Sequence, residues 1–299
     1  MTLIHFNVCE PHTIEEACSL LGQYRSKAKF LAGGTDLLVS IRKGTFSPEL
    51  LVNLKKITEL YGIKERDRDL VIGALTSLHE VETSSIVQSS HGALVEALHV
   101  IGSIQIRNTG TLGGNICSAI PSADSPPILI ALGARVKISS KVGEREIPLA
   151  DFFNGPGRTV LAEDELLKEI CIPKREGKWG AIYLKQSRIA ASDIAIVGIA
   201  VALSLNPATQ RCQDIAIVMG AVAPIPLRAR KAETILKDEV LKDEMIEDAS
   251  LVASKEAKPI SDLRGSDHYR TQLIQSLAKS AIKRAMERAL DKRPEGDRR

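Results

Sequence analysis

The sequence predicts an α+β fold of two domains, and three observations support this prediction. The chain has 299 residues, 44% hydrophobic and 26% charged, enough to bury one large core or two modest ones. In the first half, short strand patterns alternate with helical patterns, whereas in the second half long strand patterns come first and helical patterns follow. The polar residues 173–178, which include a proline and a glycine, separate the two halves and form the predicted domain boundary.

The first domain is predicted to begin with a helix and a strand that glycines interrupt. Thr13 and Glu16 have the spacing of a capping box, and the apolar residues that follow recur at helical spacing. Residues 30–32 have the pattern of a short buried strand, which breaks at Gly33-Gly34-Thr35-Asp36 and continues as a helix. The paired glycines should therefore lie at a helix N-terminus.

Short strands and helices are predicted for the rest of this domain. Ser77 and Glu80 have the residue types and the spacing of a second helix cap. The other predicted elements are a strand at residues 51–54, a hairpin at 62–65 and 70–74, a helix at 91–101 that ends at Gly102, a loop at 121–127, a hairpin at 134–138 and 145–149, and a closing strand at 166–172.

The second domain is predicted as a sheet followed by helices. The charged segment 291–299, which has no core residue, is predicted as a flexible tail. The predicted strands are residues 180–187, 194–205 and 214–221, and the predicted helices are residues 228–236, 240–257 and 269–290.

Composition and charge argue against several classes of function. Lys and Arg total 40 and Asp and Glu total 37, so a net charge of +3 gives no general attraction to nucleic acid or to an anionic membrane. The five cysteines and six histidines are scattered and have no metal-ligand spacing, so no metal site is predicted. Neither a secretion signal nor an apolar run of membrane-spanning length is evident, and we expect a soluble, cytoplasmic protein.

The two glycine clusters are the candidate binding features of the sequence. They are Gly33-Gly34 and Gly113-Gly114, and neither belongs to a Rossmann fingerprint or to a phosphate loop that ends in Gly-Lys-Ser or Gly-Lys-Thr. Each places bare backbone amides where an anion can approach, and the first adds the positive end of a helix. Two such loops would grip one pyrophosphate from both sides, although each cluster alone is better explained as a tight turn.

The order and spacing of several motifs resemble a known family. Ala32-Gly33-Gly34-Thr35-Asp36-Leu37-Leu38, then Thr111-Leu112-Gly113-Gly114-Asn115 and Pro121-Ser122-Ala123-Asp124, resemble the FAD-binding subunits or domains of xanthine dehydrogenase, carbon monoxide dehydrogenase and their relatives. The resemblance covers nearly the whole chain. It continues through Tyr183-Leu184-Lys185, Arg188, Asp193-Ile194-Ala195, Gly220-Ala221-Val222-Ala223-Pro224, Pro226, Arg228, Glu233, Asp262-Leu263-Arg264-Gly265-Ser266 and Tyr269-Arg270.

The resemblance implies a fold of the vanillyl-alcohol-oxidase/p-cresol-methylhydroxylase type. Residues 1–175 would form an FAD-binding domain of two subdomains. Residues 179–290 would form a smaller α+β C-terminal domain like that of the carbon monoxide dehydrogenase flavoprotein, with a three-stranded sheet and helices. We assign residues 262–265 to a turn that orients the last helix.

The resemblance also implies a site for non-covalent FAD, since no histidine or cysteine matches a flavin-attachment position. The two glycine loops would bind the pyrophosphate and adjoining groups, mainly through backbone amides. Other residues would contact FAD from the following loop, from apolar positions and from the second domain. The implied FAD-binding residues are Leu31, Ala32, Gly33, Gly34, Thr35, Asp36, Leu37, Ile101, Thr111, Gly113, Gly114, Asn115, Asp124, Leu167, Lys185, Asp193 and Ile194.

Several of these residues have a structural alternative that the sequence leaves open. Asp36 is more simply explained as a helix cap than as a phosphate contact, because two anions repel. Asp124 would serve equally as the N-cap of the following helix. A lone Lys185 is usually a solvated strand charge, and Arg188 with Asp193 would form a structural pair.

In the family, a molybdenum pterin in a large subunit oxidises the substrate, and 2Fe-2S clusters in a small subunit pass the electrons to FAD. The resemblance therefore implies an oxidoreductase subunit that relays electrons, is inactive without its partners and assembles as a dimer of heterotrimers. The sequence offers no Ser-His-Asp set, paired-carboxylate site or nucleophile elbow of its own. A self-contained flavin oxidase and a non-catalytic assembly factor with the same fold remain the alternatives.

Ile194 bears on the electron acceptor. In carbon monoxide dehydrogenases the residue after the motif aspartate is typically a tyrosine that can lie against the flavin, whereas Asp193-Ile194 resembles the xanthine dehydrogenase pattern. An aliphatic residue cannot provide the same stacking, which favours NAD⁺ over a quinone as the acceptor. The alternative is that Ile194 simply begins a buried strand.

Overall fold

The computed structural model describes residues 5–189 and 193–291, so residues 292–299 of the predicted tail lie outside the described part. The first subdomain is a three-stranded parallel sheet of order β1-β3-β2. Helix α1 packs against β2 and β3, and a small core lies between them. The elements are β1 (Asn7–Cys9), α1 (Ile14–Tyr24), β2 (Ala28–Leu31), α2 (Leu37–Arg42) and β3 (Leu50–Asn53).

The cap of α1 differs in one detail from the predicted capping box. The Thr13 hydroxyl accepts a hydrogen bond of 3.2 Å from the amide of Glu16, as predicted. The Glu16 carboxylate, however, accepts from the amide of His12 at 2.9 Å. The carboxylate thus satisfies a donor one residue before the cap, and the helix still begins where the sequence predicts.

A five-stranded antiparallel sheet forms the second subdomain. The prediction of both hairpins is confirmed, and the predicted closing strand lies at the centre of the sheet, since the order is β4-β5-β8-β6-β7. The strands are β4 (Ile63–Arg66), β5 (Asp69–Gly73), β6 (Arg135–Ser140), β7 (Gly143–Pro148) and β8 (Leu166–Pro173).

Six helices lie between β5 and β6. Ser77 and Glu80 form the complete predicted capping box, with reciprocal hydrogen bonds of 3.1 and 2.8 Å. The prediction of a loop throughout residues 121–127 is wrong, because a helix begins at Ser125 and its first turn accommodates prolines, whose missing amide hydrogens are not needed there. The helices are α3 (Leu78–Thr83), α4 (Ser85–Ser90), α5 (Gly92–His99), α6 (Ile104–Thr109), α7 (Leu112–Cys117) and α8 (Ser125–Ala131).

The C-terminal domain has the three predicted long strands and the three predicted helices. A two-residue strand extends the antiparallel sheet, whose order is β12-β11-β10-β9. The predicted strand 194–205 begins only at Val197. The elements are β9 (Lys178–Gln186), β10 (Val197–Leu205), β11 (Cys212–Gly220), β12 (Leu227–Arg228), α9 (Arg230–Leu236), α10 (Asp243–Glu256) and α11 (Asp267–Leu290).

This sheet is covered on both faces, which fixes it against the first domain. One face packs on α9, α10 and α11, while Ala181, Tyr183 and Ala200 of the other face belong to the main core of the second subdomain. Arg288 of α11 pairs with Glu96 of α5 and donates to a carbonyl of β9. The two domains therefore share one hydrophobic core, and residues from both can meet in a single site.

The turn at residues 262–265 orients the last helix, as predicted. Asp262 accepts a hydrogen bond of 2.7 Å from Arg270, which is 3% exposed and lies in the first turn of α11. Arg270 also donates to the carbonyl oxygens of Ile196 and Ala221. None of the helices in residues 5–189 and 193–291 combines the length and the apolar content needed to cross a membrane.

Candidate functional site

The two glycine clusters, far apart in the sequence, lie side by side in the fold. A Cβ atom placed on Gly33 would lie 2.1 Å from the carbonyl oxygen of Thr109 and 2.9 Å from the Cα atom of Gly110, just before the second cluster. Ser118, which follows α7, donates a hydrogen bond of 2.8 Å to Oδ2 of Asp36. Only glycine, which has no side chain, fits at position 33, and the missing side chain allows the two loops to touch.

The first loop presents unused hydrogen-bond donors. The backbone amides of Gly33, Gly34 and Thr35 donate to no acceptor within the described part of the chain. Gly34 has a φ of +77°, a conformation that side chains rarely adopt, and the loop leads directly into α2. Asp36 occupies the N-cap position of α2 but its carboxylate makes no capping bond, so the prediction that it only caps the helix is wrong. Backbone amides arranged in this way are suited to bind an anion.

The second loop has a different chemistry from the one predicted. The four amides from Leu112 to Asn115 already donate to protein acceptors, at 2.9–3.0 Å. The prediction that this loop offers its backbone amides to the ligand is therefore wrong for these four residues. What it can offer is the side-chain nitrogen of Asn115, which donates to no acceptor among the residues described, while Oδ1 accepts from Ser125 at 2.6 Å.

A buried ion pair joins the C-terminal domain to the start of α8. Nζ of Lys185 lies 2.8 Å from Oδ2 of Asp124, and the two side chains are 7% and 8% exposed. Tyr183 donates its hydroxyl to Oδ1 of Asp124 at 2.6 Å, and Lys185 also donates to the carbonyl oxygen of Val100 at 3.1 Å. The sequence-based alternatives are therefore wrong for both residues: Asp124 makes no side-chain cap bond to α8, and Lys185 is not solvated.

Burial controls the electrostatics of this pair. It raises the pKa of the Asp124 carboxyl, and the opposing effects of Lys185 and Tyr183 do not fully reverse the change. Burial also raises the pKa of the Tyr183 hydroxyl well above its ordinary value, with the nearby Asp124 charge acting in the same direction. Tyr183 thus remains a hydrogen-bond donor at neutral pH and can orient the carboxylate.

Comparisons with known proteins identify the family. Residues 4–175 match the family described as the FAD binding domain in molybdopterin dehydrogenase, and residues 182–285 match the CO dehydrogenase flavoprotein C-terminal domain. The chain is 35% identical to the carbon monoxide dehydrogenase medium chain of Hydrogenophaga pseudoflava, over 95% of this chain and 98% of that protein. The chain belongs to the family of FAD-binding subunits of the molybdenum hydroxylases.

Other members of the family support the same assignment. The xanthine dehydrogenase FAD-binding subunit of Escherichia coli O157:H7 is 32% identical, over 92% of this chain and 94% of that protein. A solved structure of the carbon monoxide dehydrogenase of Hydrogenophaga pseudoflava superposes on this chain with a TM-score of 0.92 at 35% identity. The match covers 96% of this chain and 99% of that chain, and the solved form lacks the Mo-pyranopterin moiety of the molybdenum cofactor. The predicted fold class and family are therefore confirmed.

The residues present fit the FAD of a molybdenum hydroxylase subunit. A pyrophosphate needs donors rather than fixed negative charge, and the first loop supplies the free amides of Gly33, Gly34 and Thr35. The neighbouring Asn115 adds a side-chain donor from the second loop. The carboxylate of Asp36 accepts a hydrogen bond from Ser118, so one of its oxygens is already bound within the protein.

Two predicted apolar contacts lie at different depths. Ile101 is half-buried and follows Val100, the residue to which Lys185 is bonded. Leu167 is only 3% exposed and lies in the main core on β8. Ala74 connects β8 to the second loop, since it donates to the carbonyl of Lys168 and accepts from the amide of Gly113. The structure thus places the Leu167 side chain in the core beneath the loop.

Asp193 and Ile194 lie between β9 and β10. The carboxylate of Asp193 accepts hydrogen bonds from the amides of Ile194, Arg188 and Ile189 at 2.8, 3.1 and 3.4 Å, and these bonds, the one from Ile194 first, lower its pKa. Its closest approach to Nε of Arg188 is a longer 3.8 Å. Ile194 is 46% exposed, so the alternative in which it begins a buried strand is wrong.

Sequence reasoning missed two residues of this region. Ser118 links the second loop to Asp36, and it lies outside every motif that the sequence analysis singled out. Tyr183 was recognised only as part of a motif, whereas the structure makes it a buried partner of Asp124. In the structure Gly198 makes room for Tyr183, because a Cβ atom there would lie 2.5 Å from the tyrosine hydroxyl, but nothing in the sequence shows this pairing.

Proposed function

We propose that this subunit holds FAD non-covalently between its two glycine loops and relays electrons from partner subunits to an external acceptor. The observation that carries this proposal is the contact between the two loops, one of which has three consecutive unused amides. When bound, FAD supplies a group that accepts electrons singly and releases them as a pair. The chain itself then needs only to bind, orient and shield that group.

The residues of the site divide this work. The amides of Gly33, Gly34 and Thr35, with the Asn115 side chain, bind the pyrophosphate. Lys185 and Asp124 form the part of the site that comes from two domains, so FAD bound there depends on the domains staying together. Ala32, Leu37 and Thr111 belong to the same two loops, and we extend the proposal to them as adjoining contacts.

The partners follow from the proposed relay. We infer a large subunit with a molybdenum pterin, where substrate is oxidised, and a small subunit with 2Fe-2S clusters, which delivers the electrons. The relatives that support this inference are described as a medium chain or an FAD-binding subunit, which implies further chains. A dimer of such heterotrimers is the proposed assembly.

For the acceptor we propose NAD⁺. Ile194 is 46% exposed and follows Asp193, whose carboxylate orders the surrounding backbone. An exposed aliphatic residue leaves room for a nicotinamide where a tyrosine would occupy a ring face. Stopped-flow reoxidation of the reduced flavin in the assembled complex tests this proposal. Rapid and saturable reoxidation by NAD⁺ supports it, and reoxidation only by quinones or artificial dyes rejects it.

FAD binding is tested on the full-length chain with two lysine variants of the same strand. Lys185 and Lys178 both lie on β9 and both donate to a backbone carbonyl, but only Lys185 pairs with Asp124. We expect Lys185→Met to raise the Kd for FAD about tenfold or more, since in this proposal its ammonium group also binds FAD and a lost charged hydrogen bond costs roughly 1.5–3 kcal/mol. Lys178→Met should leave the Kd unchanged.

Three further observations would contradict the proposal. Yellow colour that stays with the protein after acid precipitation would show a covalent flavin. Flavin reduction by substrate in a preparation free of both partner subunits would favour a self-contained oxidase. Failure of the wild-type chain and of its assembled complex to bind FAD would reject the relay altogether.

A further inference from the structure

A second buried ion pair lies beside the glycine loops, among residues that no motif includes. Nε of Arg107 on α6 donates to Oε2 of Glu82 on α3 at 2.7 Å, and the two residues are 7% and 8% exposed. The other oxygen of Glu82 lies 2.7 Å from Nδ1 of His99, at the end of α5. One carboxylate therefore joins three helices.

Glu82 is charged in this arrangement. Burial by itself raises the pKa of its carboxyl, but the hydrogen bonds from His99 and Arg107 outweigh burial and leave the pKa below its ordinary value. A buried charge of this kind is stable only while its partners stay in place. The pair thus gives the Arg107 side chain one fixed orientation.

Arg107 uses a second nitrogen of its guanidinium group to hold a turn. Its Nη1 donates to the carbonyl oxygens of Ile101 and Gly102 at 3.1 and 3.3 Å. On the other side, Lys185 donates to the carbonyl of Val100 at 3.1 Å. Three consecutive carbonyl groups are therefore bound by two cations, one from each domain, and the turn that carries Ile101 cannot shift without breaking these bonds.

Arg107 lies in the last turn of α6, whose end contacts the first glycine loop. The last residue of α6, Thr109, and the following Gly110 form the surface against which Gly33 packs, with no room for a Cβ atom. The carbonyl of Gly110 accepts from the amide of Leu78 at 2.9 Å, at the start of the helix that carries Glu82. A shift of α6 would therefore change the spacing between the two glycine loops.

We propose that Arg107, oriented by Glu82, is a positioning residue of the FAD site, which holds the Val100–Gly102 turn and sets the spacing of the two glycine loops. This inference rests on the proposed placement of FAD between those loops. Arg107 does not touch the ligand in this proposal. It acts through Ile101 on one side and through the end of α6 on the other.

Arg107→Lys tests the positioning role, because a lysine keeps a positive charge near Glu82 but has no planar fork to bond the carboxylate and the carbonyls together. We expect the Kd for FAD to rise about tenfold, in line with the strong dependence of binding on sub-ångström placement. The absorption maximum of the bound flavin at saturating FAD should also shift. The urea midpoint of the FAD-free chain should fall only slightly.

The matched control is Arg228→Lys in the C-terminal domain. Arg228 also pairs with a buried carboxylate, Glu233, at 2.7 Å and also donates to a backbone carbonyl, that of Ile215, at 3.3 Å. Arg228→Lys should change the urea midpoint of the FAD-free chain by about as much as Arg107→Lys does. Its Kd for FAD should stay within about twofold of the wild type, as expected for a distant independent site.

The inference is overturned if Arg107→Lys has the Kd for FAD and the flavin spectrum of the wild type. It is also overturned if Arg107→Lys and Arg228→Lys change the Kd and the spectrum equally. Arg107→Met, which removes the charge as well, should raise the Kd at least as much as Arg107→Lys. If it does not, the bonds from Arg107 to the carbonyls of Ile101 and Gly102 do not position the FAD site. Absence of FAD binding by the wild-type chain would instead reject the proposed function, so the two failures are distinguishable.

Discussion

The packing of Gly33 makes one substitution decisive. In Gly33→Ala the new methyl group would meet the Thr109 carbonyl oxygen at 2.1 Å, and ordinary van der Waals contact begins at 3.4 Å. The atoms it meets are backbone, so no flexible side chain can move aside, and the loops must separate by about 1.3 Å or distort. Overpacking of this kind costs about 1–3 kcal/mol of stability.

The expected effect on FAD affinity is larger than the effect on stability. A displacement of about 1 Å in a positioned site can reduce its performance about a hundredfold, and the two loops are proposed to bind the same pyrophosphate. We therefore expect the Kd for FAD to rise by about two orders of magnitude in a chain that still folds. Fluorescence titration with FAD measures the Kd, and urea unfolding of the FAD-free chain measures stability.

Gly22→Ala provides the control. Gly22 lies inside α1, and a Cβ atom there would be 3.5 Å from Cβ of Asp164, an ordinary contact. This substitution should stabilise the chain by about 0.5–1 kcal/mol and leave the Kd unchanged. A folded Gly33→Ala protein with a wild-type Kd would refute the placement of FAD between the loops.

Three further outcomes are expected. Gly114→Val should weaken FAD binding more than it lowers stability, as measured by FAD titration and urea unfolding. Its Cβ atom would lie only 2.8 Å from the Thr111 hydroxyl and would displace this helix cap, which costs about 1 kcal/mol, while its methyl groups would enter the space between the loops. Tyr183→Phe should lower the free energy of unfolding in urea by about 1–3 kcal/mol because a buried Asp124 oxygen loses its donor, and a change within experimental error would contradict this account. The pKa of the Asp262 carboxyl is lowered to about 2, so its charged form stabilises the fold at pH values above its unfolded pKa of about 3.9, and this effect is lost as the pH falls towards 2. The free energies of unfolding of the wild type and of Asp262→Asn, measured in urea at stepped pH, should therefore converge over that range.

The sequence predicted the elements whose causes are local. The caps at Thr13 and Ser77, the glycine-interrupted strand before α2 and both hairpins of the second subdomain all depend on residues close together in the chain. Helices α4, α6 and α7 were missed because each has only six residues, too few to show a helical repeat. Their stability comes from packing against neighbouring helices.

The family motifs also located the candidate site, but not how each residue acts. The loops around Gly33 and Gly113 look alike in sequence, yet the amides of Gly33, Gly34 and Thr35 are unused whereas those from Leu112 to Asn115 are all bonded. The carbonyls of Thr76 and Ala74 accept from the amides of Leu112 and Gly113, while Thr111 accepts from those of Gly114 and Asn115. The state of Leu112 and Gly113 thus depends on partners about forty residues away, and local sequence patterns carry no information about such partners.

The sequence by itself thus determined the two α+β domains, the family and the position of both glycine loops, because short-range spacing encodes turns and caps. Only the tertiary structure decided that Lys185 pairs with Asp124, that Arg107 holds the turn of Ile101, and that Ile194 lies exposed before β10. The physical reason is that a buried charge is tolerated only where partners from other elements surround it, and such partners are assembled by packing across the shared core.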